Sequence, residues 1–162
     1  MNRLSGPDLL TEAHVVDEFD CGEDHLNTWL RRRARRNQAD GSSRTWVVAD
    51  DERIVGFYAS SAAVLLRTSA TRRAARNQRD PLPALLLGRL AGDQKHQGRG
   101  LGAALLKHFL LKSIEIADVT GVRVLLVHAK DQSAAAFYQR YGFEPSPIDD
   151  LTLMLLVKDL RA

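Results

Sequence analysis

Apolar residues along the chain follow two rhythms, one alternating and one of helical period, and together they predict the order of elements. Residues 9–16 read as a first strand. Gly22, Glu23 and Asp24 then open a helix with acids in its first turn and arginines in its last, the arrangement a helix dipole favours. Leu26, Trp29, Leu30 and Ala34 lie at helical spacing and define a narrow buried stripe, which turns most of the arginine run outward until Asp40, Gly41 and Ser42 end the helix. Residues 45–49 and 54–66 flank a polar Asp50-Asp51-Glu52 turn and read as an antiparallel hairpin. The stretch 68–83 is polar, arginine-rich and closed by Pro81 and Pro83, so it is expected on the surface with one short helix. Residues 85–91 are a buried strand. Leu105, Leu106, Phe109, Leu110, Ile114 and Ala117 mark a core-packed helix that Gly121 stops. Residues 122–129 form a strand, 133–141 a short helix ended by Gly142, and 151–157 a last strand. The predicted fold is α/β, with a mixed central sheet in the order β-α-β-β-β-α-β-α-β.

No period of 20–50 residues repeats and no Gly/Ser/Pro linker interrupts the pattern, so a single domain over residues 1–162 is expected. A chain of this size buries roughly 68–70% of its unfolded surface and needs no staple. Its one cysteine, Cys21, makes no internal bridge. Met1 is not followed by a charged and then an apolar leader segment, and no apolar run approaches the ~20 residues that span a bilayer, so the expectation is a cytoplasmic protein without membrane contact. Five histidines include no i, i+4 pair and Cys21 stands apart from them, so no metal site is expected.

Net charge is a modest +3, but the charges are segregated. Arg31, Arg32, Arg33, Arg35 and Arg36 lie in a stretch free of acids, and so do Arg53, Arg67, Arg72, Arg73, Arg76 and Arg79. Seven acids crowd between Asp8 and Asp24. Basic segments of this kind suit phosphates or an acidic protein partner, although a solvated surface explains them equally well.

The chemistry is most legible in LLLGRLAGDQKHQGRGLGAALL, residues 85–106, where a strand runs through Gln97-Gly98-Arg99-Gly100-Leu101-Gly102 straight into a helix. Glycines let backbone N–H groups converge on an anion, the helix N-terminus adds partial positive charge, and Arg99 offers a charged hydrogen bond. Gly98, Gly100 and Ala103 satisfy the G-x-G-x-x-G/A spacing of a dinucleotide site, but too little chain follows for that fold and no acid closes the next strand. A P-loop fails for want of Lys-Ser or Lys-Thr after the last glycine. The loop fits Q-x-x-G-x-G/A, the acyl-CoA loop, and here the chain resembles the GCN5-related N-acetyltransferases (GNAT). The segment from Asp131 to Phe143, with its Phe137-Tyr138-x-x-x-Gly142-Phe143 ending, resembles that family's late helix. Element order agrees from about Leu9 to Leu160.

The resemblance implies a GNAT fold and acetyl-CoA as cofactor. Leu90 and Ala91 then offer backbone groups to its pantetheine arm, and Gln97, Gly98, Arg99, Gly100, Leu101 and Gly102 hold the pyrophosphate. Many members carry an asparagine before the late helix; here Asp131, Gln132 and Ser133 stand there, and Ser133 is the candidate contact. Phe137 and Tyr141, four apart on the Ala134 face, are expected in the core, with Tyr138 about 100° away. A phenol of ordinary pKa keeps its proton at pH 7, and the resemblance makes Tyr138 the catalytic acid that protonates the departing coenzyme A thiolate.

Within the family the chain resembles the toxins of type II toxin-antitoxin pairs, which acetylate the α-amino group of aminoacyl-tRNA and block translation. The likeness lies in the strand-and-loop wording, in EFDCGEDHLNTWL before the arginine-rich helix, and in FYQRYGF without a carboxylate base near the loop. An α-amine titrates near pH 7.7–8, so a fraction is already neutral at pH 7. Arg31, Arg32, Arg35 and Arg36 of the first helix, with Arg72, Arg73, Arg76 and Arg79, are candidates to hold the acceptor stem of the tRNA. The resemblance further implies a cognate antitoxin of ribbon-helix-helix type, DNA contact only through the antitoxin complex, and a homodimer. The alternatives are acetylation of a small-molecule amine or a protein lysine, and a non-catalytic nucleic-acid-binding acetyl-CoA sensor.

Overall fold

A computed structural model describes residues 4–161. In chain order the elements are β1 (Leu4–Leu9), α1 (Asp24–Arg32), α2 (Ala34–Ala39), β2 (Arg44–Asp50), β3 (Arg53–Leu65), a 3-10 turn (Arg67–Ser69), α3 (Arg72–Ala75), β4 (Leu82–Gly92), a second 3-10 turn (Gln94–His96), α4 (Leu101–Val119), β5 (Val124–His128), α5 (Gln132–Gln139), β6 (Glu144–Ser146), β7 (Asp149–Leu156) and α6 (Val157–Leu160). The strands are ordered β1-β2-β3-β4-β5-β7-β6, with β4 and β5 parallel and the β1–β2, β2–β3, β5–β7 and β6–β7 pairs antiparallel. Two compact units divide the chain, residues up to 61 with 88–109 and residues 62–87 with 110–162, so that β4 and α4 each contribute to both.

The first unit is built on the aromatic core that the helical stripe promised. Trp29, Leu30 and Ala34 are buried with Phe19, Val47, Ile54 and Phe57, and Leu26 packs against them. The Trp29 indole stacks on Phe57 at 5.9 Å and Phe19 meets the same ring edge-on at 5.4 Å. The expected single helix is interrupted at Arg33, which closes α1 through its N–H on Trp29 O at 2.8 Å and begins α2. The expected first strand, residues 9–16, is corrected. The β-pairing lies earlier, at Leu4–Leu9, and is mostly exposed, while Leu10, Val16 and Phe19 are buried anchors of an irregular stretch. That stretch turns at Thr11, whose N–H donates to His14 Nδ1 at 3.0 Å, and the Arg35 guanidinium fastens it by donating to the carbonyls of Thr11 and His14. The β2–β3 hairpin forms as expected, with Val47 opposite Phe57.

In the second unit Leu65, Ala74, Leu82, Val124, Leu126, Met154 and Leu156 share one core. Thr71 caps α3 by accepting from Ala74 N–H at 3.2 Å, and Asp131 caps α5 by accepting from Ala134 N–H at 2.8 Å, each the kind of bond worth about 1 kcal/mol. The expected six-strand order lacks β6. This three-residue strand follows Gly142, whose φ of +97° turns the chain out of α5, and it pairs back onto β7.

Candidate acyl-CoA site

The loop after β4 is bonded to the backbone of the segment before α1. Asp93 accepts from Lys95 N–H at 2.9 Å and from Asp20 N–H at 3.1 Å. Asp20 accepts in turn from Gly22 N–H at 2.9 Å and Asn27 Nδ2 at 3.0 Å, bonds that hold its carboxyl below the usual range, and its carbonyl takes Gln94 N–H at 2.9 Å. Buried Asn27 accepts from Cys21 N–H at 2.9 Å. At Gly22 the backbone has φ +91°, which strains any side chain, and a Cβ there would also displace the Gln94 amide, whose Nε2 would lie 2.3 Å away. Gln97, itself exposed, donates its side-chain amide to Gly92 O at 3.1 Å and Cys21 O at 3.4 Å, bonds that brace the loop. Sequence reading used EFDCGED as a likeness and missed this bracing; its signal was the cluster of Asp20, Gly22 and Asn27 around a helix start.

Beyond Gln97 the loop opens. Gly98 and Gly100 have φ of +81° and +76°, and a Cβ at either would meet nothing within 4 Å. Both glycines are thus required by backbone conformation while the space before them is free. The first turn of α4 closes with Ala104 N–H on Gly100 O at 3.0 Å. The N–H groups of Leu101, Gly102 and Ala103 precede that ladder and have no carbonyl of their own helix to bond. Together with exposed Arg99 they form a cradle of donors at the positive end of a 19-residue helix, which fits the pyrophosphate of an acyl-CoA. Leu101 anchors the helix start: Gly56 on β3 leaves room for it, since a Cβ there would lie 2.8 Å from Leu101 Cδ2. Leu90 and Ala91 precede the cradle on β4, half-buried and buried respectively.

In the second unit, Ser133 is exposed in the first turn of α5 and Tyr138 lies near its end. The expected core face of α5 is corrected. Ala135 and Tyr138 are the buried residues, whereas Phe137 is half-buried and Tyr141 is 40% exposed. Tyr138 is packed edge-on by Phe137 at 5.1 Å and Phe143 at 5.7 Å, and the turn at Gly142 is what brings Phe143 back to it. Its hydroxyl has no hydrogen-bond partner among the described residues, and burial pushes its pKa up to about 12. The phenol is therefore neutral at physiological pH and its proton is uncommitted.

The arginines divide by engagement. Arg31, Arg32 and Arg36 are exposed on α1 and α2, and Arg72, Arg76 and Arg79 are exposed in and after α3. Arg35 is tied to the 11–14 turn and lies 3.8 Å from Glu12, and Arg73 makes two bonds to Asp159, at 2.5 and 2.6 Å. Arg89 on β4 was not anticipated. Its guanidinium lies 4.3 Å over the Trp29 ring, on the interior side of the first unit, where burial lowers its pKa. A lone arginine between Gly88 and Leu90 in an apolar strand was the available signal.

Residues 41–145 match the family model described as an acetyltransferase (GNAT) domain. The chain belongs to the GNAT acetyltransferase family. This GNAT chain is 45% identical over 162 residues to a tRNA-acetylating toxin of Mycobacterium tuberculosis, a match covering 100% of this chain and 98% of the relative. Among solved structures it resembles AtaT complexed with acetyl-methionyl-tRNAfMet, with a TM-score of 0.88, 25% identity and 95% of each chain covered. A tyrosine-to-phenylalanine mutant of the AtaT toxin, bound to the C-terminus of the antitoxin AtaR and acetyl-CoA, matches with a TM-score of 0.84 and 26% identity over 99% of this chain and 97% of that one. Among the described residues no helix is long and apolar enough to cross a membrane.

Proposed function

We propose that this acetyltransferase is the toxin of a type II toxin-antitoxin pair, and that it transfers acetyl from acetyl-CoA to the α-amino group of aminoacyl-tRNA and so blocks translation. The observation that carries the reading is the 45% identity to a tRNA-acetylating toxin along all 162 residues. Acetyl-CoA supplies an acetyl group activated as a thioester. Arg99 and the N–H groups of Leu101, Gly102 and Ala103 hold its pyrophosphate at the end of the loop that Gln97, Gly98 and Gly100 shape, and backbone groups of Leu90 and Ala91 bind the pantetheine arm. Ser133 is assigned a lesser cofactor contact. Tyr138 protonates the sulfur as the carbon–sulfur bond breaks; its free, neutral hydroxyl supports that role.

Arg31, Arg32 and Arg36, with Arg72, Arg76 and Arg79, take the tRNA phosphates, a role supported by their exposure. Arg35 and Arg73 act more through the segments they fasten, as their internal bonds indicate. A ribbon-helix-helix antitoxin neutralises the toxin and supplies the DNA contacts of the complex, the toxin itself is a homodimer, and the reaction takes place in the cytoplasm. The test is transfer of labelled acetyl to charged bulk tRNA, with deacylated tRNA, spermidine and a lysine peptide as parallel acceptors. The expected result is label on charged tRNA alone. Label on spermidine or peptide instead would overturn the substrate while leaving the family intact.

A further inference from the structure

The second unit holds a hydrogen-bonded chain of three side chains that the scheme above does not use. His128 is the last residue of β5, and its Nδ1 lies 3.2 Å from Thr152 Oγ1 on the neighbouring strand, directly opposite in the β5–β7 register. The Thr152 hydroxyl donates to Asp149 Oδ2 at 2.9 Å, and Asp149 Oδ1 accepts from Leu151 N–H at 3.0 Å. These bonds hold the Asp149 carboxyl below its usual range, so it is an anion and an acceptor.

The proton count along this chain fixes the imidazole. A threonine hydroxyl has one proton, and Thr152 directs it to Asp149, so its oxygen faces His128 as an acceptor. The hydrogen on that side must then come from Nδ1. The neutral imidazole is locked as the Nδ1–H tautomer, with the basic lone pair on Nε2, and His128 is exposed where Thr152 is buried. Position supports a role in chemistry. The parallel register of β4 and β5 ends at Leu87 and Val127, and His128 follows at the carboxyl end of that pair, the end at which open α/β sheets receive their ligands. The same unit carries Tyr138 on α5, the element that follows β5.

We propose that His128 is the general base of the acetyl transfer, oriented by Thr152 and Asp149, and that it deprotonates the acceptor ammonium. The proposal rests on the reading of the acceptor as an α-amine. His128 Nε2 takes one proton from the ammonium. The freed nitrogen lone pair forms the new carbon–nitrogen bond, the carbon–sulfur bond breaks, and Tyr138 gives its proton to the sulfur. A second proton leaves the nitrogen as it becomes an amide, the Tyr138 phenolate regains one, and His128 returns its own to solvent. One proton is released per turnover, as the conversion of an ammonium to an amide requires.

The test compares wild type with His128→Ala, Thr152→Val and Thr152→Ser on charged tRNA. His128→Ala is expected to lower kcat/KM about 100-fold, with acetyl-CoA affinity and thermal stability unchanged, and added imidazole is expected to restore at least about a tenth of the rate. Thr152→Val gives a smaller loss that Thr152→Ser does not. Nitrogen NMR of the imidazole provides a readout independent of turnover: the Nδ1–H form in wild type and Thr152→Ser, and a tautomer mixture in Thr152→Val. A His128→Ala rate within about threefold of wild type, a loss that imidazole leaves untouched, or an Nε2–H imidazole in wild type would overturn the proposal. If wild type labels another amine instead of charged tRNA, the substrate reading fails by itself and the same variants test His128 on that amine.

Discussion

Gly56 tests the claim that the cradle is positioned by how α4 seats on β3. An alanine there would place its Cβ 2.8 Å from Leu101 Cδ2, 3.1 Å from Leu101 Cγ and 3.3 Å from Leu105 Cδ1. Leu105 is fully buried and cannot retreat, whereas Leu101 is half-buried and opens α4, so the movement falls on the helix start. Overpacking of this kind costs about 1–3 kcal/mol, and replacing a strand glycine returns roughly 0.5–1 kcal/mol, which leaves a net loss of up to about 2.5 kcal/mol, with a central value of about 1 kcal/mol. For a chain of this size the central value lowers Tm by roughly 2–4 °C. Because Leu101 carries the first N–H of the cradle, acetyl-CoA affinity should fall with it. The assay is thermal unfolding and calorimetric acetyl-CoA binding of Gly56→Ala, Leu101→Ala and the double variant. Truncating Leu101 removes the clashing atoms, so Gly56→Ala should cost at least about 0.5 kcal/mol less in that background. Equal cost in both backgrounds, or no cost in either, would refute the seating argument.

Gly100→Ala should lower stability by about 1–2 kcal/mol, the cost of a left-handed alanine, and weaken acetyl-CoA binding at least about tenfold in calorimetry, since its methyl enters the free space before the cradle. Charge reversal of Arg31, Arg32 and Arg36 to glutamate should raise KM for charged tRNA without altering KM for acetyl-CoA, and should flatten the dependence of tRNA binding on salt. Tyr138 holds its proton to about pH 12 when folded and to about pH 10 when unfolded. The unfolded state therefore ionises first, so this contribution to stability is fully present below pH 10 and is lost as pH rises toward 12. Urea titrations across that range should show the decline, and Tyr138→Phe should make it shallower.

Features that depend on local spacing were legible in the sequence. The Leu26, Trp29, Leu30 and Ala34 stripe, the β2–β3 hairpin and the glycine loop each declare themselves within a few residues, and all three formed. Features set by distant partners were not. Residues 9–16 look like a strand because Leu9, Leu10, Val15 and Val16 are apolar, yet the chain turns at Thr11 under bonds from Arg35, 24 residues later. Arg73 is indistinguishable from Arg72 in the sequence, and its engagement comes from Asp159, 86 residues away. The face of α5 was misjudged because Ala134, Phe137 and Tyr141 form a plausible stripe, whereas the return of Phe143 after Gly142 selects the face bearing Tyr138. The His128, Thr152 and Asp149 chain was hidden for the same reason, its members being joined by strand register.

Placement of acetyl on the α-nitrogen of an amino acid esterified to tRNA can be read by mass spectrometry of the terminal nucleoside released by ribonuclease from charged tRNA after reaction with acetyl-CoA, for wild type and Tyr138→Phe. Wild type is expected to give aminoacyl-adenosine heavier by one acetyl group on its amine, and Tyr138→Phe, which still binds acetyl-CoA, unmodified aminoacyl-adenosine. Unmodified aminoacyl-adenosine with wild type would overturn the acceptor, and full acetylation by Tyr138→Phe would overturn the role of its phenol.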